Sequence, residues 1–562
     1  MPGTGASHVA TVPRAASTRP LALRGRVPRP ALQGLIALVV YLAIFIIAYA
    51  LPLVRQPGLP QVGQGQVDPN FYVWSLRWWP YALSHGLNPL YSRQIGAPAG
   101  FDLAWTTTAP ALGVILWPIT TVFGPITSLN LTLLLSAPVS AWATFVVARR
   151  LTSRFWPALL AGTVYGFSLY EVGHTGVGQA NLAVIMLFPL MVYLALLWWD
   201  GKLGPPAFVG LMGAAMTAEF YIFDEAFAEM TLLGAAGLLI GFAVARPACR
   251  PTVARLAGLV AVAWVTAVVL ALPYLVYALR HPSPGLIKAL PVDSLHLKAL
   301  VIPESGIPLL LIVLALAVLT WSSRLTRLLV ILFVFIVVLA LGPDLVIRAT
   351  PVGPLPWARL WSLPLVRSAE PVRLMLFGYL VLAIILAVWL AIPIKSRLLR
   401  AAQWILGLAA VAAIIAYIPE ASHGNIIPAS NPSAAARPAD ALPTFISGGL
   451  YRDYLRPGEI VVVVSDRGNA GMLFQADTNF YFRIAGGFIN AVLSNTTALP
   501  APVARLNHPT PAREQRFRAY IHDAGVGAII VERAWAAPWM QVFSRMGLHG
   551  TPVGGVIIYR TA

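Results

Sequence analysis

The sequence predicts a polytopic α-helical membrane protein with about eleven transmembrane helices and a small extracytoplasmic α/β domain at its C-terminal end. Three observations predict it. Of the 562 residues, 58% are hydrophobic and only 11% are charged, with a mean hydropathy of +0.75. A soluble core cannot absorb that much apolar surface. Uncharged runs of roughly 16 to 25 residues recur along the first three quarters of the chain, the length a helix needs to cross hydrocarbon. From about residue 420 this pattern gives way to short β-branched runs.

The N-terminal segment carries Arg14, Arg19, Arg24, Arg26 and Arg29 and no acid, so residues 1–30 are expected to be disordered and cytoplasmic. The first apolar run, Ala31 to Val54, follows directly. It contains an Ala48-Tyr49-Ala50 sequence of signal-peptidase type, but it is longer than an ordinary signal core and reads as an uncleaved anchor. Basic residues then recur in short clusters: Arg149, Arg150 and Arg154; Lys202; Arg246, Arg250 and Arg255; Arg324 and Arg327; Lys395, Arg397 and Arg400. Clusters between apolar runs are a topology signal rather than a phosphate-binding stripe, so the formal charge of +18 does not point to nucleic acid. Placing all of them in the cytoplasm gives eleven spans, near 31–54, 126–148, 155–170, 182–199, 205–223, 226–245, 256–279, 307–321, 328–342, 374–394 and 401–418. An odd number leaves the C-terminal tail outside. The expected location is the inner (plasma) membrane, multi-pass. The single Cys249 excludes an intramolecular disulfide and a cysteine-based metal site.

In this arrangement the apolar run 109–123, interrupted by Pro118, is too short to span and becomes an interfacial or re-entrant helix. It belongs to a large first outer loop, 55–125, with Trp74, Trp78, Trp79 and Trp105 suited to a membrane surface. The carboxylates sort with it. Before residue 420 there are twelve, and only Asp200 falls on the cytoplasmic side; Asp68, Asp102, Glu171, Glu219, Asp224, Glu225, Glu229, Asp293, Glu304, Asp344 and Glu370 fall at or beyond the outer helix ends. Positive-inside sorting accounts for acids lying outside in general. It accounts poorly for Glu219, Asp224, Glu225 and Glu229, which crowd one helix–helix turn and repel unless a cation or a proton shares the site. Asp68 is the first acid of the chain and lies among aromatics just beyond the first span, which makes it a functional-site candidate.

After a Pro- and Ala-rich linker at 420–443, residues 444–562 read as an outer α/β domain with strands in Glu459–Ser465, Gly527–Glu532 and Gly555–Tyr559. This tail has no glycine-rich phosphate loop, no His/Cys cluster and no nucleophile elbow. Its expected role is to cover the outer mouth or to contact an acceptor.

The run Val67-Asp68-Pro69-Asn70-Phe71-Tyr72, then His85-Gly86-Leu87-Asn88-Pro89 and Gly100-Phe101-Asp102-Leu103, then Pro110, Pro118 and Phe123-Gly124 ahead of a helix ending in Arg149-Arg150, resembles the C-type (GT-C) integral-membrane glycosyltransferases. That class includes protein O-mannosyltransferases, the aminoarabinose transferase of lipid A and bacterial homologues with an outer α/β tail, which Phe482-Arg483-Ile484-Ala485-Gly486-Gly487 resembles. The resemblance covers residues 31–419. It implies a sugar donor on a polyprenyl phosphate, a glycan, lipid or protein acceptor in the cell envelope, and a catalytic carboxylate at Asp68 acting as general base. Many members carry a second acid next to the first; here Pro69 stands there, which leaves metal dependence open, with a divalent cation as an alternative to a cofactor-free site.

For the departing phosphate the resemblance directs attention to cationic groups: first Arg367 and Arg373 at an outer helix entrance, then Arg280, His281 and Lys288. Headgroup contact, or an ion pair of Arg373 with Glu370, is the alternative for the first two. His174, with Glu171 in a segment of three glycines, could position an acceptor or tune Asp68, or be a solvated loop residue. Asp224 and Glu225 could bind sugar hydroxyls or a divalent cation, although their spacing matches no metal motif. A non-enzymatic transporter or accessory protein for lipid-linked glycans is the second function class. The missing second acid favours it, whereas the long outer loop carrying Asp68 and the absence of paired interrupted helices disfavour it.

Overall fold

A computed structural model describes residues 29–58, 68–281, 306–347, 350–360, 369–421, 442–465, 469–487, 510–533 and 536–561. Arg367, Lys288, Asp293 and Glu304, the segment before Arg29 and most of the expected linker lie outside the described residues.

Helices stand at all eleven expected positions. The first, α1 (Arg29–Phe45), runs on through a π turn to Arg55. The helix α2 (Asp68–Ser84) follows, then two short helices, α3 (Pro110–Ile115) and α4 (Trp117–Phe123), which occupy the apolar run containing Pro118. Each is far too short to span. Val114, Ile115, Val122 and Phe123 are exposed, as expected of segments lying against lipid. Next come α5 (Pro125–Thr152), α6 (Phe155–Gly166), α7 (Leu169–Val177), α8 (Leu187–Trp199), α9 (Pro205–Ile222), α10 (Asp224–Val244) and α11 (Arg250–Arg280). The bundle is completed by α12 (Gly306–Thr320), α13 (Arg324–Ala340), α14 (Met375–Ala391) and α15 (Arg397–Ala421). Among the described residues seven stretches, including Pro125–Thr152, Pro247–Arg280 and Pro371–Ala391, are long and apolar enough to cross a membrane by length and composition.

Packing in the bundle follows membrane rules rather than soluble ones. Large apolar side chains such as Val39, Leu239, Val269, Leu279 and Val318 face outward, where lipid would solvate them. Small residues meet inside: a Cβ on Gly162 would lie 2.5 Å from Ala141 O, and one on Gly166 2.5 Å from Ala137 O. This close approach of α5 and α6 through small residues four apart is the usual device where the hydrophobic effect cannot drive association. At the centre stands α14, buried along nearly its whole length.

The tail forms a five-stranded sheet of β1 (Ile460–Val464), β2 (Arg483–Ile484), β3 (Val526–Glu532), β4 (Gly550–Val553) and β5 (Val556–Arg560) in the order β2-β1-β3-β5-β4. β1 runs parallel to β2 and β3, while β5 is antiparallel to β3 and β4. The unbroken run Ile460–Val464 is buried on both faces. Alternation along it sends Val462 and Val464 toward Phe517 and Phe543 on the helices Pro511–Ala524 and Ala536–Arg545, and Val461 and Val463 into the core continuous with α2.

That shared core is reinforced by polar contacts. Gln475, on α16 (Ala470–Asp477), accepts from Trp74 Nε1 at 2.7 Å and donates to Gln94 O at 2.7 Å and Phe482 O at 2.9 Å. Ile484 N donates to Gln94 O, Ala97 N to Ile484 O and Gly96 N to Gly486 O, so loop residues 94–97 continue the edge of the sheet. Phe480 sits edge-on to Trp74 and Trp78, at 5.8 and 5.6 Å between ring centroids. The same loop needs Gly100: its φ is +83°, and a Cβ would meet Tyr91 Oη at 2.7 Å and Ser92 O at 2.8 Å.

The topology read from the arginines is proposed for this bundle and can be checked at exposed positions. In a protein with Cys249 replaced by serine, cysteines introduced at 85 and 456 are expected to react with an impermeant maleimide on intact cells, and one at 202 only after permeabilisation. Labelling of position 202 on intact cells would reverse the assignment.

Candidate functional site

Asp68 is the first residue of α2, so its carboxylate sits where helix N–H groups and the positive end of the dipole favour a negative charge. Pro69, the departure from the two-acid pattern, occupies a first-turn position where a missing N–H costs nothing. The partner of Asp68 is Gln179, whose Nε2 donates to Asp68 Oδ2 at 2.7 Å. The other end of the same amide, Oε1, lies 2.6 Å from His174 Nδ1. An amide that donates through nitrogen to a carboxylate must accept through its oxygen, which fixes His174 as the Nδ1–H tautomer. The turn geometry is local: Gln179 N donates to His174 O at 3.0 Å, closing α7 through the left-handed Gly178.

Burial pushes the His174 imidazole down to about 4, Gln179 opposes that shift, and the charge of Arg373 adds to it. His174 is therefore neutral at physiological pH and acts as a fixed donor in the relay His174–Gln179–Asp68. With a folded value below the unfolded 6.5, the unfolded chain binds the extra proton. Stability is then expected to fall as pH drops from about 6.5 toward about 4 and to be level above that window. Thermal melting at pH 7.5 and pH 4.5 checks this: the wild type should lose more than His174→Gln, and equal losses would rule out the buried imidazole as the cause.

One turn beyond Asp68, Tyr72 donates to Asn181 Oδ1, with Thr107 Oγ1 3.5 Å away. Burial and the neighbouring Asp68 charge raise the Tyr72 phenol, while Arg373 lowers it, so this ring feels both charges of the site.

Arg373 enters from the segment leading into the buried α14. Its Nη1 is 2.5 Å from Glu225 Oε2, its Nη2 3.2 Å from Glu370 Oε1, and Glu370 N donates to Glu225 Oε1 at 2.9 Å. Phe223 lies under the guanidinium at 5.7 Å. Here is the cation that the crowded acids required: Glu225 opens α10 toward Arg373, and Glu229 and Glu219 lie buried beyond it.

The sequence-derived candidates therefore separate. Asp68 and His174 are joined through Gln179, and Arg373 lies near enough for its charge to act on His174 and Tyr72. Glu225 faces Arg373, whereas Asp224 is exposed and accepts from Glu225 N at 3.0 Å. Glu171 is wholly buried beside Ser136 and Thr175, and burial raises its carboxyl. Arg280 is exposed at the end of α11, where Trp105 Nε1 donates to His281 O. Gln179 and Tyr72 were not singled out from the sequence. The signals were the helical spacing of four between Asp68 and Tyr72 and a polar residue closing a glycine-rich turn.

Solved structures share this architecture. The chain superposes on the arabinofuranosyltransferase AftD from Mycobacteria with a TM-score of 0.57 at 16% identity, over 96% of its own length and 40% of that chain. It thus spans about two fifths of that larger protein. ArnT from Cupriavidus metallidurans, in a structure bound to undecaprenyl phosphate, matches with a TM-score of 0.51 at 12% identity over 95% of this chain and 98% of that one. The Archaeoglobus fulgidus oligosaccharyltransferase matches with a TM-score of 0.50 at 12% identity over 94% and 74%. No protein-family model and no curated sequence matches the chain.

Proposed function

We propose that this chain, whose fold is that of the GT-C membrane glycosyltransferases, transfers a sugar from a polyprenyl-phosphate donor to a cell-envelope acceptor on the outer face of the membrane, with Asp68 as general base. The observation that carries the reading is the relay itself: a carboxylate held through Gln179 by a neutral His174, with the charge of Arg373 acting on His174 and on the adjacent Tyr72. Transfer of a glycosyl group to a hydroxyl needs those two features. The base removes the acceptor proton as the new glycosidic bond forms, and a cation meets the charge that grows on the departing phosphate.

In ArnT, the neighbour matched along nearly its entire length, the bound molecule is undecaprenyl phosphate, which supports a polyprenyl phosphate as the leaving group here. The outer tail supports the same reading structurally, because it braces the aromatic face of the helix that begins with Asp68. Purified full-length protein given polyprenyl-phosphate-linked pentoses and hexoses is expected to release free polyprenyl phosphate in the presence of an envelope extract. Donor binding without release from any of them would favour a carrier of lipid-linked glycans instead.

A further inference from the structure

At the end of α14 away from Arg373, about 25 Å along the helix for 17 residues, lies a cavity of 240 Å³ between the ends of α6, α14 and α15. It is lined by Arg154, Arg400, Gln403 and Trp404 against an apolar wall that includes Leu390 and Ile392. Carbonyls at and just past this end of α14 already have partners: Gln403 Nε2 donates to Trp389 O at 2.6 Å and Ile392 O at 3.3 Å, and Arg400 holds Ile394 O through Nε at 3.0 Å and Nη2 at 2.7 Å. What remains is positive. Arg154 stands at the N-cap position of α6, and Arg400 lies in the first turn of α15, so two arginines from two helix starts line one cavity.

Among the described residues no carboxylate lines this space, and Arg154 has no ion pair. Asp200, the acid at this end of the bundle, is held by Arg150. Opposite charge from outside the chain would complete the site. The apolar wall, the indole of Trp404 and the position at the ends of bundle helices require that charge to sit on an amphipathic molecule.

We propose that this cavity binds the phosphate of an anionic membrane phospholipid, with Arg154 and Arg400 holding the phosphate and Trp404 and the Leu390–Ile392 wall packing against the first carbons of its chains. It is separate from the site at Asp68 and does not depend on the function proposed for that site.

Native mass spectrometry of the delipidated full-length protein tests it with phosphatidylglycerol, phosphatidylcholine, glycerol 3-phosphate and inorganic phosphate as probes. Phosphatidylglycerol is expected to be retained in preference to phosphatidylcholine, and Arg154→Gln to lower its occupancy about fivefold. Lys395→Gln, which removes an exposed neighbouring charge outside the lining, should leave occupancy unchanged. Equal retention of the two lipids, or equal losses in the two variants, would overturn the proposal in favour of diffuse surface charge. Displacement of phosphatidylglycerol by equimolar glycerol 3-phosphate or inorganic phosphate would overturn it in favour of a free-phosphate site. Should Arg154→Gln fold poorly, the comparison of lipids on the wild-type protein still decides the matter.

Discussion

Asp68→Asn is expected to abolish sugar transfer while leaving donor binding intact. Asparagine keeps the size of the side chain, and its oxygen can still accept the 2.7 Å hydrogen bond from Gln179, so the relay and the start of α2 remain in place. What it cannot do is take a proton at neutral pH. Removal of a general base costs on the order of 10²–10⁴ in rate, and a base acts only in the transition state, so the loss should fall on kcat. Release of polyprenyl phosphate and equilibrium binding of the donor, measured on the same preparation, separate the two effects. Full activity in Asp68→Asn would remove this carboxylate from the mechanism. A matched loss of binding would make it a ground-state ligand.

The second large effect is expected at Arg373. Its guanidinium joins Glu225 and Glu370, and all three side chains are largely buried. Arg373→Ala alone leaves two carboxylates facing each other without a cation, a loss on the order of 3–5 kcal/mol, so low yield is expected before any assay. Two further variants distinguish structure from function. Arg373→Ala combined with Glu225→Gln should recover folding but not donor binding. Glu225→Gln by itself frees one arm of the guanidinium and should tighten binding of polyprenyl phosphate about tenfold, because the phosphate no longer competes with a carboxylate for that arm. Unchanged affinity in Glu225→Gln would mean that Arg373 serves only to hold α10 and α14 together.

Much of this architecture was legible in the chain because hydrophobic run length and charge sign are one-dimensional signals. The eleven helices, the failure of 109–123 to span and three of the five tail strands follow from them directly, whereas the division of 109–123 into two short helices does not. Asp68 was visible for the same reason, as a lone charge where charge is expensive. Gln179 was not, because a neutral amide has no compositional signature; its role comes from lying 111 residues from Asp68 in sequence and 2.7 Å from it in space. The pairing of Arg373 with Glu225 was hidden likewise, since only folding brings residues 148 apart into contact, whereas the neighbour Glu370 could be guessed from its spacing. The two-residue strand β2 and the continuation of its edge by residues 94–97 carry no β-branched run at all.

The contact between Trp74 and Gln475 spans 401 residues of sequence, and that distance sets a schedule. At roughly 5–20 residues per second of synthesis, α2 waits about 20–80 s between its own emergence and that of the segment that covers its indoles. For most of that interval the bundle itself is still being made, and once α15 is complete the mouth still lacks the tail. A ribosome that stalls near the linker would leave a membrane-inserted product with bare tryptophans, which is the kind of surface quality-control proteases and holdases recognise. The helix carrying Asp68 therefore acquires this support only after the membrane helices that follow it have been made.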